Sequence, residues 1–347
     1  MIGTGWWATT AHLPALREHP RAEITGIADP DSANLEMARR HFEVEKTYVD
    51  YRHLLEAGGL DGVIIAVPHA FHYEIARDAL DAGIHVLLEK PMVLKAKEAW
   101  DLVERARANG LHLVIGYESH FTRHAVAARD LIQSGRIGEV RFVSGHLASM
   151  AESWYRGQSE DYRSVFDFTI AKPHENTYSD KRIAGGGQGQ TQVTHAMGLI
   201  FWTTGLRATE VSAFLDGFGL GVDLIDAISF RFDNAALGTM GSTGSLRPNQ
   251  PWQIDFRYYG SEGFLLHDTV GGQLSAYFND GTSEVFPPLE PAEISPPSAP
   301  ARCLVDLILD QGANLAPGEI GARTVEFLEA AYRSAAESRI VTVEELD

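Results

Sequence analysis

Residues 3–8 read Gly3-Thr4-Gly5-Trp6-Trp7-Ala8, and about 20 residues further on a strand-like run closes with Ala28-Asp29-Pro30. The first is a G-x-G-x-x-A turn. Its first glycine permits the tight turn, its second lets backbone approach a pyrophosphate, and Ala8 lets helix and strand pack closely. The N-terminus of the helix that follows faces the phosphates. Gly-rich turns are common, so a purely structural βα turn is the alternative; the spacing to Asp29 favours a dinucleotide site. Asp29 is suited to accept bonds from the ribose hydroxyls and to repel a 2′-phosphate. No Arg or Lys stands in the several residues after it, so NAD is expected, with NADP less favoured.

Working outward, the first third alternates apolar runs with helical patterns. Strands are expected at 23–28, 62–67, 85–88 and 111–117, and helices at 31–40, 71–82 and 95–109. This alternation predicts a parallel sheet covered on both faces. After Tyr117 the rhythm changes. A helix over 123–133 precedes strand-like runs at 139–150, 210–214, 225–232, 254–259, 264–267 and 274–278. Strands that follow one another without crossover helices predict a largely antiparallel sheet. A Pro-rich connector spans 287–300, and helices are expected at 302–311 and 319–337. The fold class is therefore α/β. A doubly wound Rossmann domain is expected over 1–117, and an α+β domain with a large, mostly antiparallel open sheet over 118–347. Only Met1 and Ile2 precede Gly3, where a central strand should stand. We expect the native product to carry roughly five further apolar residues there.

Composition excludes several classes. The chain has 347 residues, with 29 Lys and Arg against 47 Asp and Glu, a net charge of −18. That argues against nucleic acid or an anionic membrane as partner. The single cysteine, Cys303, excludes an internal disulfide and a Cys-based zinc site. Apolar runs such as 63–67 fall far short of the ~20 residues that span a bilayer. No signal-like segment opens the chain, so a cytoplasmic location is expected.

Two positions carry chemistry. Glu89-Lys90-Pro91 ends a parallel strand, the edge of the sheet where ligands bind. A lysine desolvated there has a lowered pKa and suits proton exchange; a surface Lys–Glu pair is the alternative. His195 lies in an expected helix over 194–203 among apolar residues, where a core histidine is the plain reading. The pairs His69/His72 and His120/His124 lack matched carboxylates, so no metal is expected. Trp6, Trp7, Trp154, Tyr155 and Tyr178 are candidates to stack on a ring, with core packing as the alternative. Segment 151–187 reads as a long irregular loop and a wall of the substrate pocket.

Taken together the chain resembles the Gfo/Idh/MocA family of sugar and cyclitol oxidoreductases. The carriers are Gly3-Thr4-Gly5, Ala28-Asp29-Pro30, Pro68 with His72, Ala79-Leu80 through Val86, Glu89-Lys90-Pro91, Gly116-Tyr117 with Phe121, Gly135 through Val140, and Gly185-Gly186-Gly187 with His195. The resemblance implies a nicotinamide cofactor held by Gly3, Gly5, Trp6, Trp7, Ala8, Asp29, Pro68, His72, Glu89 and Lys90. It implies Lys90 and His195 at the reacting carbon, with His195 as the base for the hydroxyl proton. Tyr117, His120, Tyr178, Gln188, Thr191 and Gln192 are the expected substrate contacts, and a homodimer or homotetramer through the C-terminal sheet is implied. Many members carry an aspartate four residues before the histidine; here Thr191 stands there, so His195 is expected to lack a carboxylate behind it. His120 likewise replaces a frequent arginine. The expected activity is NAD-dependent oxidation of a secondary alcohol on a small polyhydroxylated substrate. The alternatives are a redox-neutral NAD-dependent glycosidase or lyase, and a non-catalytic dinucleotide sensor.

Overall fold

The computed structural model describes residues 1–166 and 168–346. Strands β1 (Ile27–Ala28), β2 (Thr47–Tyr48), β3 (Gly62–Ile65), β4 (His85–Leu88) and β5 (Leu113–Ile115) are parallel. Ile2 bridges β1 and β3 and so joins them in one layer. Its N–H donates to Ile64 O at 2.8 Å and its carbonyl accepts from Ala66 N at 2.9 Å, while Met1 O accepts from Ala28 N at 2.9 Å. The strand expected over 23–28 is shorter in the structure, Ile27–Ala28.

The crossover helices match their sequence signals. Asp31 caps Ser32–Phe42 by accepting from Ala33 and Asn34 N–H groups. His72–Asp81 ends before Gly83 and Ala96–Ala108 before Gly110, both glycines in the left-handed region.

Nine strands build the second sheet: β6 (Val140–Ala148), β7 (Ala208–Asp216), β8 (Ile225–Phe232), β9 (Leu237–Thr243), β10 (Gln253–Gly260), β11 (Gly263–Asp268), β12 (Gln273–Phe278), β13 (Ser283–Val285) and β14 (Val341–Thr342). Their order is β13-β12-β11-β10-β6-β9-β8-β7-β14, antiparallel except for the β6–β9 pair. In β8 buried and exposed residues alternate strictly, as one covered face requires. Helices Thr194–Thr204 and Gly318–Glu337 pack behind the sheet, where Phe201, Phe230, Phe232 and Phe327 meet edge to face.

Strand β9 escaped the sequence reading because its glycines lower strand propensity. Gly238 is demanded by packing: a Cβ there would lie 2.2 Å from the Phe230 ring. The chain also returns to the first layer. Helix Ala299–Ile308 packs on β3, β4 and β5, and Ile115 N–H donates to Ala316 O at 2.8 Å. Residues beyond 118 thus finish the cover of the parallel sheet. Segment 151–187 is less irregular than expected. It carries short helices at Glu152–Tyr155, Ser159–Tyr162, Asn176–Ser179 and Lys181–Ala184, and its aromatic residues form a second apolar cluster with Trp6. No helix among the described residues is long and apolar enough to cross a membrane.

Candidate active site

At the C-terminal edge of the parallel strands the Gly3–Ala8 turn is held from both sides. Gly3 has φ +85°, and a Cβ there would lie 2.3 Å from Ala66 O, so only glycine fits. Around Gly5 the space a Cβ would occupy is open, which leaves backbone accessible to a phosphate. Asp29 accepts from Thr4 N–H (2.6 Å), Thr4 Oγ1–H (2.9 Å) and Asp31 N–H (2.8 Å). These bonds fix its carboxylate beside the turn, and among the described residues no Lys or Arg forms an ion pair with it. An open glycine approach with a fixed carboxylate one strand away suits a dinucleotide's pyrophosphate and ribose.

Glu89 is a hub. Its Oε1 accepts from Trp7 Nε1–H (3.0 Å) and His12 Nε2–H (2.8 Å), and its Oε2 from Lys90 N–H (3.1 Å). Burial pushes its pKa up, but the His12 bond and the nearby charges outweigh this and hold it below the usual value. Glu89 therefore ties the turn helix to the Lys90 segment, and its oxygens are engaged within the chain. His72 braces the same segment: fully buried, its ring nitrogens face Pro91 O and Val67 O, each at 2.9 Å. It holds the segment from behind and presents no ring nitrogen to a cofactor. Lys90 reaches across to donate from Nζ to Thr191 O at 3.2 Å. Burial lowers the pKa of this ammonium, against the opposing pull of Glu89 and Glu118.

His195 enters from the other layer. A π-helical turn, Gly189–Val193, leads into Thr194–Thr204. Asp223 anchors that turn by accepting from Gly187 N–H (2.8 Å), Gly189 N–H (2.7 Å) and Tyr332 Oη–H (2.8 Å). Burial, with Lys90 and His120 adding to it, drives the His195 pKa well below its ordinary value, so the imidazole is neutral at pH 7. Its Nδ1 lies 3.5 Å from Glu118 Oε2, and both side chains are 18% exposed. Burial raises the Glu118 pKa to about 7, against the stabilising charge of Lys90. The expectation that His195 lacks a carboxylate is thus corrected: one stands beside it, supplied by the segment after β5. Position was a partial signal, since Glu118 stands three residues past the end of β5 at the ligand edge, but it does not name His195 as the partner.

Several expected substrate contacts sit behind the site. Tyr117 is fully buried with its hydroxyl 3.2 Å from Thr194 Oγ1. His120 is buried too, stacked on Trp202 at 4.9 Å with Nδ1–H donating to Leu315 O. Gln188 is consumed by Ser149, Ser242 and Tyr155. Thr191 Oγ1–H donates to Gly187 O at 2.9 Å and also contacts the Tyr155 hydroxyl. Gln192 is buried beside them, and Gln190 Oε1 is buried with no partner. Tyr178 lies between His69 and Trp154, in the cluster that joins Trp6, Trp7 and Phe166. His69 donates to Ala184 O, and no three His, Cys, Asp or Glu among the described residues could hold a metal together.

Comparison with known proteins agrees with this architecture. The profile of the GFO/IDH/MocA oxidoreductase family, NAD-binding Rossmann fold, matches residues 1–117, and that of the GFO/IDH/MocA C-terminal domain matches 125–266. The chain belongs to the GFO/IDH/MocA family. The rhizopine catabolism protein MocA of Rhizobium meliloti is 35% identical over 60% of this chain and 58% of its own length. The 1-carboxy-3-chloro-3,4-dihydroxycyclohexa-1,5-diene dehydrogenase of Comamonas testosteroni is 27% identical over 67% of this chain and 54% of its own. The chain thus spans about half the length of the curated relatives it matches. An oxidoreductase domain protein from Kribbella flavida superposes with TM-score 0.81 over 99% of this chain and 97% of its own, at 22% identity. That likeness is one of fold.

Proposed function

We propose that this chain is an NAD-dependent oxidoreductase acting on a secondary alcohol of a sugar, sugar derivative or cyclitol. The observation that carries the reading is the convergence of Lys90, His195 and Glu118 beside the Gly3–Ala8 turn. The cofactor supplies the hydride acceptor or donor. His195, neutral and with Nδ1 turned to Glu118, offers Nε2 to the hydroxyl proton. Lys90 donates a hydrogen bond to the same oxygen and stabilises the charge that develops there. Glu89, His12 and His72 hold Lys90 in place, and Asp223 with Tyr332 holds the His195 turn. The Comamonas relative is by name a dehydrogenase of a dihydroxylated six-membered ring, which supports this substrate class.

A panel of pyranosides and cyclitols with NAD, followed for both NADH and released aglycone, tests the reading. Accumulating NADH supports it. Aglycone release without net NADH would replace it with the redox-neutral reaction, and saturable NAD binding with silence in both channels would leave a sensor.

The outward face of the nine-stranded sheet supports self-association. In register across it run Tyr277, Phe264, Tyr259, Phe142 and Leu237, the four rings stacked in sequence at 5.0, 5.7 and 6.0 Å. Phe214, 82% exposed, lies on an outer strand of the same sheet. A continuous apolar row of this kind marks an interface, and a homodimer or homotetramer through this face completes the proposal.

A further inference from the structure

We infer that Glu118 is the positioning residue of His195, supplying the carboxylate that Thr191 does not. This rests on the reading of His195 as the base. Thr191 cannot fill the role: its hydroxyl is committed to Gly187 O and Tyr155, and it carries no charge. Glu118 Oε2, 3.5 Å from Nδ1, is the carboxylate paired with His195 among the described residues. Its backbone is fixed by the Glu118–Phe121 turn shortly after β5, so the two partners arrive from opposite layers.

The chemistry closes. A bound oxidised nicotinamide would take up the C–H electron pair as hydride, and His195 Nε2 is placed to take the O–H proton that must leave with it. The imidazolium so formed is stabilised by the Glu118 carboxylate, whose Oε2 lies 3.5 Å from Nδ1. Facing Glu118 are His195, Lys90, Glu89 and His12. Facing His195 are Glu118, Lys90, His120 and the Tyr117 ring at 6.2 Å. Among these, Glu118 is the group whose charge changes near neutral pH, because burial lifts its pKa to about 7. Protonated Glu118 carries no charge to stabilise an imidazolium, so the base loses that support below that pH.

The test uses Glu118→Gln and Glu118→Asp in the full chain, with two readouts. The first needs no substrate: nitrogen NMR of the histidines in the free protein. In the wild type the His195 signals should shift with a midpoint near pH 7, report an Nδ1–H tautomer above it, and lose that midpoint in Glu118→Gln. The second is the pH profile of kcat/KM on any substrate the panel finds. Glu118→Gln should lower turnover at least about tenfold and abolish the acid limb near 7, with NAD affinity unchanged and Glu118→Asp recovering the limb. His195 signals that titrate identically in wild type and Glu118→Gln overturn the pairing, as does an unaltered acid limb. A coupled pair in a protein that oxidises no alcohol would uphold the pairing and defeat the functional reading, so the two failures are distinct.

Discussion

Glu118 and His195 meet at 3.5 Å across the junction of the two sheets, one on the turn after the last parallel strand, the other at the start of a helix behind the antiparallel sheet. Lys90 acts on both, holding the carboxyl pKa down and pushing the imidazole pKa down further. The geometry leaves a neutral imidazole beside a carboxyl that titrates near neutrality.

This arrangement has a stability consequence. The folded-state pKa of Glu118, about 7, lies above its ordinary value of 4.5. The native protein therefore holds that proton more tightly than the unfolded chain. Its contribution is fully present below about pH 4.5 and is lost as pH rises through 7. Between pH 5 and 8 the wild type should lose stability relative to Glu118→Gln, by no more than about 3 kcal/mol since the side chain is partly open to solvent. Denaturant melts of both proteins at the two pH values measure it, and equal pH dependence would contradict the burial argument.

Lys90→Ala and His195→Ala should each lower turnover by about 10²-fold or more. NAD binding should change much less, because the pyrophosphate and ribose sites lie on the Gly3–Ala8 turn and Asp29. The losses should not add, since both groups act on one oxygen. Steady-state kinetics on the two single variants and the double variant, with NAD titrations alongside, decide it; near-normal turnover in His195→Ala would move the base elsewhere.

Asp29 is fixed by three hydrogen bonds and, among the described residues, has no cation paired to it. NAD should bind at least about tenfold better than NADP, or about 1.4 kcal/mol. Calorimetric titration of both cofactors checks this, and equal affinities would remove the discriminating role of Asp29.

The aromatic row on the outer sheet face gives a fourth expectation. Tyr277→Asp combined with Leu237→Asp should shift the assembly toward monomer while leaving thermal stability nearly unchanged, since both side chains are exposed in the single chain. Light scattering on the eluting protein reads the mass. A wild type that is monomeric at micromolar concentration would contradict the interface.

The parallel layer was legible in the sequence because its strands are continuous apolar runs and its helices carry caps and glycine stops. Asp31, Gly83 and Gly110 sit where their residue types say they should. Strand β9 was not legible, since Gly238 is there to make room for the Phe230 ring on the neighbouring strand, a contact that its own pattern does not encode. Lys90 and His195 stood out by motif and resemblance, whereas Glu118 did not: its role depends on a partner 77 residues away, and no local pattern encodes that distance. His72, His120 and Gln188 show the converse. Polar residues near a motif suggested contact with ligand, yet each spends its hydrogen bonds on backbone or side chains that hold the site in shape.

The most direct test of the central claim is NADH formation by the wild type and His195→Ala across a panel of cyclic polyols and sugars. At least one such alcohol should drive NADH accumulation in the wild type, and His195→Ala should lose about 10²-fold of that rate or more while still binding NAD. NAD that binds saturably with no alcohol reducing it, or a His195→Ala variant that oxidises the substrate at the wild-type rate, would contradict the account.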